Sequence, residues 1–134
     1  MLLDHHTANE SATDGDTTVL HIAAVSGQAE VLKLLLDRHF DVNTKLADLT
    51  ALHLAALKGY ADIVKLLIEN KADVNATTDE NITALHLAAG RGHADVVKML
   101  IENKADVNAR DINGGKPIDV ARREHHADIV QLLQ

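Results

Sequence analysis

The chain repeats itself, and no other feature restricts its fold as much. Residues 50–76, TALHLAALKGYADIVKLLIENKADVNA, and residues 83–109, TALHLAAGRGHADVVKMLIENKADVNA, differ at five of 27 positions. An earlier copy, TVLHIAAVSGQAEVLKLLLDRHFDVNT, spans 18–44, and a worn one, KPIDVARREHHADIVQLL, begins at Lys116. Units start at 18, 50, 83 and 116, which are 32, 33 and 33 residues apart. That period is one of helical solenoids, not of a coiled coil, a leucine-rich horseshoe or a propeller blade. In such arrays each unit buries its apolar sides only against the next.

Each unit reads as two helices and a turn. Thr18, Thr50 and Thr83 stand before short apolar segments, where a hydroxyl can accept from the free N–H groups of a first turn. Gly27, Gly59 and Gly92 stop these first helices, because a residue without a β-carbon enters the left-handed region cheaply. In the second helix Ile63, Val64, Leu66, Leu67 and Ile68 cover most of the circumference, which requires neighbours on both sides. Asp-Val-Asn at 41–43, 73–75 and 106–108, followed by Asp, Asn and Gly residues, predicts turns that lead to the next pair. Phe40 and Tyr60 are the only aromatic residues besides histidine, so the core is expected to be thin layers of Leu, Ala, Val and Ile.

The recurring TVLHIAA and TALHLAA, TALHLAAGRGHADVV and the closing DVN resemble ankyrin repeats over roughly residues 13 to 134. The resemblance implies an all-α solenoid of stacked helix-turn-helix units with projecting β-turn fingers. In it, fingers and first helices line a concave side where partner proteins bind. We divide the single domain into 1–16, 17–44, 45–76, 77–109 and 110–134, the last a truncated cap. Residues 1–16 read either as the frayed end of a preceding unit, since Leu2-Leu3-Asp4 is spaced from Thr18 as Leu67-Ile68-Glu69 is from Thr83, or as a disordered start. The end at Gln134 reads as a natural half-cap or as one slice of a longer array.

Departures from the family pattern carry their own expectations. Val19, Ala51 and Ala84 replace a proline that survives as Pro117, and helix starts should tolerate this. His39, Lys71 and Lys104 replace a glycine, at about 1 kcal/mol each if positive φ is kept. Asp48 and Asn81 stand at the finger position that Gly114 holds, and the finger TKLADL is one residue short, which should displace its tip. In the last unit Lys116 replaces threonine, Asp119 replaces histidine, and Arg122-Arg123 give the polar outer face that a terminal unit needs.

Chemistry finds little foothold. The net charge of −7 opposes a broad phosphate-binding surface, so no nucleic-acid partner is expected. With no cysteine there are no disulfides or thiolate sites, which fits the cytoplasm or another reducing compartment. Apolar runs fall far short of the ~18 residues of a membrane span, and Asp4-His5-His6 interrupts any signal peptide at once. His21, His53 and His86 fall in successive layers about 8–10 Å apart, whereas metal ligands converge at about 2 Å. The resemblance implies instead that each ties its capping threonine to a neighbouring finger. His5-His6 and His125-His126 read as solvated pairs. No catalytic grouping, cofactor site or metal site is found, and the chain is expected not to be an enzyme.

Binding is the remaining reading. Between the two best units, Ile63/Val96 and Leu66/Met99 are core exchanges, while Leu57/Gly90, Lys58/Arg91 and Tyr60/His93 cluster at the end of the first helix. In the family these positions and the finger tips touch partners. The resemblance therefore assigns a protein-binding face to Leu46, Leu49, Leu57, Lys58, Tyr60, Ile82, Arg91, Ile112 and Arg123. Of these, Leu46, Leu49, Leu57, Ile82 and Ile112 are apolar where exposure is expected, and a contiguous apolar stripe marks an interface. A rigid monomer that binds another protein is the expectation; an architectural spacer without a specific partner is the alternative. The resemblance further implies asparaginyl hydroxylation at Asn75 and Asn108, each eight residues after a leucine.

Overall fold

A computed structural model describes residues 18–38 and 40–134. The readings placed on residues 1–16, on the His5-His6 pair and on His39 lie outside the described residues. Among the described residues eight helices form four pairs: α1 (18–25) with α2 (Ala29–Leu36), α3 (Ala51–Lys58) with α4 (Ala61–Glu69), α5 (Ala84–Arg91) with α6 (Ala94–Glu102), and α7 (Pro117–Arg123) with α8 (Ala127–Leu133). Among the described residues no strand is longer than the isolated bridge between Leu46 and Leu49.

Two rows of helices result. The first helices stack as α3 on α5 on α7, and the second helices as α2, α4, α6 and α8. Ala51, Ala55, Ala56, Ala84, Ala88, Ala89 and Ala121 are all buried in the inner row. Methyl-sized side chains bring these helices close, so a core nearly without rings is still well packed. The second helices supply the bulk through Leu32, Ile63, Val64, Leu67, Val96, Val97, Leu100 and Ile129. Ile63 shows how stacking buries a unit: it has 0% exposure, as have Val96 and Ile129, whereas their counterpart Val31 in α2 is 41% exposed with no described unit before it.

Thr50 and Thr83 cap α3 and α5 as predicted, whereas Thr18 lies within α1 and not before it. Gly59 and Gly92 close α3 and α5 at φ 76° and 78°, and Gly27 has φ 71° after α1. A ring from the next unit lies over each: a β-carbon at Gly59 would sit within 2.6 Å of His93 atoms, one at Gly92 at 2.9 Å from His126, and one at Gly27 at 3.2 Å from Tyr60. Glycine is thus required there by close approach as well as by backbone conformation.

The fingers show how one missing residue is accommodated. In the third and fourth units a three-residue loop closes on a left-handed residue, with Thr78 N–H donating to Ile82 O at 3.0 Å around Asn81 (φ 62°) and Asp111 N–H to Gly115 O at 2.9 Å around Gly114 (φ 82°). The shorter finger pairs Leu46 with Leu49 in both directions, at 2.8 and 3.0 Å, across Ala47 and Asp48 at φ 51° and 73°. Positive φ at both central residues defines a type I′ turn, the tightest hairpin loop. The deletion is taken up by a change of turn type, at the cost of holding an alanine left-handed.

Lys71 and Lys104 both keep φ 74°, so the expected strain is present. Replacing either by glycine relieves it while adding freedom to the unfolded chain. Lys71→Gly and Lys104→Gly are each expected to stabilise the protein by about 0.5–1 kcal/mol, roughly additively. Urea unfolding checks this; a loss of stability in both variants would mean that the lysine stems contribute packing that outweighs the strain.

Candidate functional site

The histidines settle where the fingers stand. His53 N–H donates to Thr50 Oγ1 at 3.2 Å, and Thr50 N–H donates back to His53 Nδ1 at 3.2 Å, with the Thr50 hydroxyl 2.8 Å from the same nitrogen. The far nitrogen, Nε2, lies 3.0 Å from Ile82 O in the next finger. A carbonyl can only accept, so Nε2 carries the proton and Nδ1 is the acceptor. His86 repeats the arrangement on Thr83 and reaches Gly115 O at 2.9 Å. His21 Nε2 lies 2.6 Å from Leu49 O. Both ring nitrogens of His53 and His86 are therefore occupied by protein, and among the described residues no group of three potential metal ligands comes together. In the fourth unit the box is halved, because Lys116 has no side-chain oxygen and Asp119 N–H donates to its backbone carbonyl at 2.9 Å instead; Asp119 Oδ2 still accepts from Lys116 N–H at 3.0 Å.

A second tie was not foreseen. Asn43 accepts from Asp73 N–H at 2.6 Å and donates to Lys71 O at 3.2 Å, and Asn75 does the same to Asp106 N–H at 2.7 Å and Lys104 O at 3.2 Å. The aspartates of Asp-Val-Asn accept from the backbone two residues on, Asp41 from Asn43 N–H, Asp73 from Asn75 N–H and Asp106 from Asn108 N–H, as turn formers do. Asp111 accepts from the N–H groups of Gly115 and Asn113, which hold its carboxyl below the usual aspartate value. A third tie joins the helix ends, where His93 Nε2 lies 3.0 Å from Leu57 O and His126 Nε2 lies 3.1 Å from Gly90 O.

The predicted binding residues divide by what they touch. Leu46 and Ile112 stand 39% and 63% exposed on the fingers. Lys58, Arg91 and Arg123 are exposed at the ends of α3, α5 and α7, and Leu57 is half-buried beside them. Leu49 and Ile82 lie half-buried at the finger bases and lend their carbonyls to His21 and His53. Tyr60 is half-buried, with its ring against Gly27 and the core. The fingers are braced to one another: Lys45 Nζ donates to Thr77 O at 2.8 Å, Asp79 N–H to the Asp48 carboxylate, and Ile112 N–H to Glu80 O at 2.9 Å.

Sequence reasoning passed over Ile22, Leu54, Leu87 and Val120. These four occupy one position of the successive first helices, on the side away from the second helices, and none is fully buried. The signal was available: the residue after His21, His53 and His86, and after Asp119 at the same place in the fourth unit, is large and apolar, in helices whose alanines already supply much of the buried face.

Burial pushes the His53 pKa below its ordinary 6.5, against the opposing effect of the Ile82 hydrogen bond. The folded protein therefore binds fewer protons here than the unfolded chain does below pH 6.5, so this histidine's contribution is complete above 6.5 and declines as pH falls through the lowered value. His53→Gln should cost about 1–3 kcal/mol at pH 7.5 by leaving buried groups unpaired. Urea midpoints at lower pH should show the gap to the parent narrowing; a gap that stays constant down to about pH 5 would contradict a neutral, buried ring.

The chain matches the family model described as ankyrin repeats (3 copies) twice, over residues 1–78 and 52–134. Comparison with curated proteins gives no match. No helix among the described residues is long and apolar enough to cross a membrane. The two overlapping matches together run the length of the sequence, and the paired, stacked helices with histidine-tied fingers agree with them: the chain belongs to the ankyrin-repeat family, whose units are non-catalytic and generally serve protein interaction.

Proposed function

We propose that this array binds a partner protein through the side formed by its fingers and the open faces of its first helices. One observation carries the reading. Leu46 and Ile112 on the fingers and Ile22, Leu54, Leu57, Leu87 and Val120 on the first helices stay partly or largely exposed, although their neighbours in the same helices are buried to a few per cent or less. Large apolar side chains gathered on one side of a rigid body mark an interface more often than scattered surface leucines do.

The frame favours binding in a second way. Finger backbones are held by histidine and by finger-to-finger hydrogen bonds, so little freedom is lost when a partner docks. Lys58, Arg91 and Arg123 border the apolar row and suit electrostatic selection more than bulk affinity. Leu49 and Ile82 support the finger bases on this reading, and Tyr60 acts from its place on Gly27.

The test compares the parent with Leu46→Asp/Leu57→Asp/Ile112→Asp as immobilised baits, after circular dichroism shows equal helix content. Any protein retained by the parent through this side should be lost from the triple variant, a drop of about tenfold or more in affinity. Retention of the same proteins by both baits would move the interface elsewhere, and retention of none by either would favour a spacer.

A further inference from the structure

We propose that the partner presents an acidic segment to the groove between α5 and α7, and that one large apolar side chain of that segment enters the notch at Gly90. The inference rests on the reading that the open side of the first helices binds a protein; it names the chemistry of what binds. The groove encloses about 400 Å³ and is lined by His86, Leu87, Gly90, Arg91, Val120 and Glu124. It exists because of one residue. Where α3 carries Leu57 and α7 carries Arg123, α5 carries Gly90, a poor choice for a helix interior. A β-carbon at Gly90 would lie 2.8 Å from Val120 Cγ1, so a larger residue there would have to displace that methyl. That contact accounts for the glycine but leaves an apolar floor, formed by Leu87 and Val120, open beside it.

Charge decides the occupant. The last turns of α3, α5 and α7 carry Lys58, Arg91, Arg122 and Arg123, whereas α1 carries none there and, of the second helices, α2 has Lys33 and α4, α6 and α8 have no basic residue. Helix dipoles favour cations at C-termini, yet α4 and α6 have the same dipole and end in Glu69 and Glu102. Arg122 lies 3.5 Å from Asp119 and Arg123 lies 3.7 Å from Glu124. Among the described residues, neither Lys58 nor Arg91 has a carboxylate within ion-pair distance. Glu124, the one acid in the groove lining, is thus met by Arg123, and in a chain of net charge −7 the uncompensated Arg91 in the lining, with Lys58 one helix away, selects an anionic segment over a basic one. The finger acids Asp79 and Glu80 precede the start of α5, at the opposite end of that helix from Arg91, and so keep such a segment toward the helix ends.

The probe is a phage library of random dodecapeptides panned against the immobilised full chain. Enriched clones should be acidic around a single Leu, Ile, Phe or Met. A synthetic peptide from one of them should bind about tenfold more weakly to Gly90→Leu, which fills the notch, and to Arg91→Glu. Its affinity should also fall as salt rises. Gly90→Leu presses on Val120 and needs its helix content verified; Arg91→Glu is an exposed substitution and tests the inference without disturbing packing. Neutral or basic clones, no enrichment over bare beads, or an affinity unmoved by both substitutions would overturn it. Clones lost with Leu46→Asp/Leu57→Asp/Ile112→Asp but kept by Gly90→Leu and Arg91→Glu would overturn this inference and leave the proposed binding side standing. Clones indifferent to all of them would remove both.

Discussion

The stack is held together by contacts between layers. Ile63, Val64 and Leu67 of α4 are closed off only because α2 lies on one side, α6 on the other and α3 beneath. Apolar burial of this kind is strong but undirected. Alanine surfaces in the inner row would accept a helix slid along its axis with little penalty. Polar ties settle the register. The second and third units are joined at three corners: a histidine to the carbonyl of the next finger base, an asparagine amide to the next Asp-Val-Asn turn, and an imidazole to the carbonyl at the end of the preceding first helix, and the junctions on either side keep two of these ties each. All three run from a side chain to backbone, so each fixes geometry without dictating the neighbour's side chain. Among the described residues no buried side-chain polar atom is left without a partner, which is what allows histidine and threonine to sit in so dry an interior.

Those ties also explain how a finger can lose a residue. Its base must deliver one carbonyl to His21 and its end must deliver Thr50 to start α3. Between these fixed points the loop needs only to reverse, and the Ala47-Asp48 turn does so with one residue fewer. The strain falls on Ala47, at the tip and away from any packing that would multiply it. A deletion inside a helix would have rotated every later side chain out of its layer instead.

What the residue string revealed, and what it did not, follows from distance along the chain. The period, the threonine caps, the stop glycines and the left-handed Lys71, Lys104, Asp48 and Asn81 were legible because each depends on a few adjacent residues. The histidine-to-finger bond was implied by family resemblance. The asparagine ladder, with partners 28 to 31 residues away, and the Tyr60 ring over Gly27 were not, because nothing local says which unit a side chain will face. The shortened finger was legible as an anomaly but not as a turn type, since Ala47 is no residue to choose for positive φ. For the proposed binding side, the exposed leucine of the finger and the cations at the helix ends were visible, while the row from Ile22 to Val120 was hidden inside a segment that looks uniformly like core.

The two nearly identical units show what this division of labour leaves free. Every residue that ties one layer to the next is the same in both except at the ring position, where Tyr60 and His93 cover Gly27 and Gly59 of the unit before. Two of the other differences, Ile63/Val96 and Leu66/Met99, exchange side chains of similar volume, which packed cores accept. The last two, Leu57/Gly90 and Lys58/Arg91, lie where Leu57 and Gly90 lend the layer ties only their carbonyls, and they change the relief of the open side from a ridge to a notch. A solenoid whose stacking rests on backbone-directed bonds can thus vary its outward surface unit by unit without disturbing the frame. On the proposed reading, specificity in such a molecule accumulates at the first-helix ends, where the two units differ most outside the core.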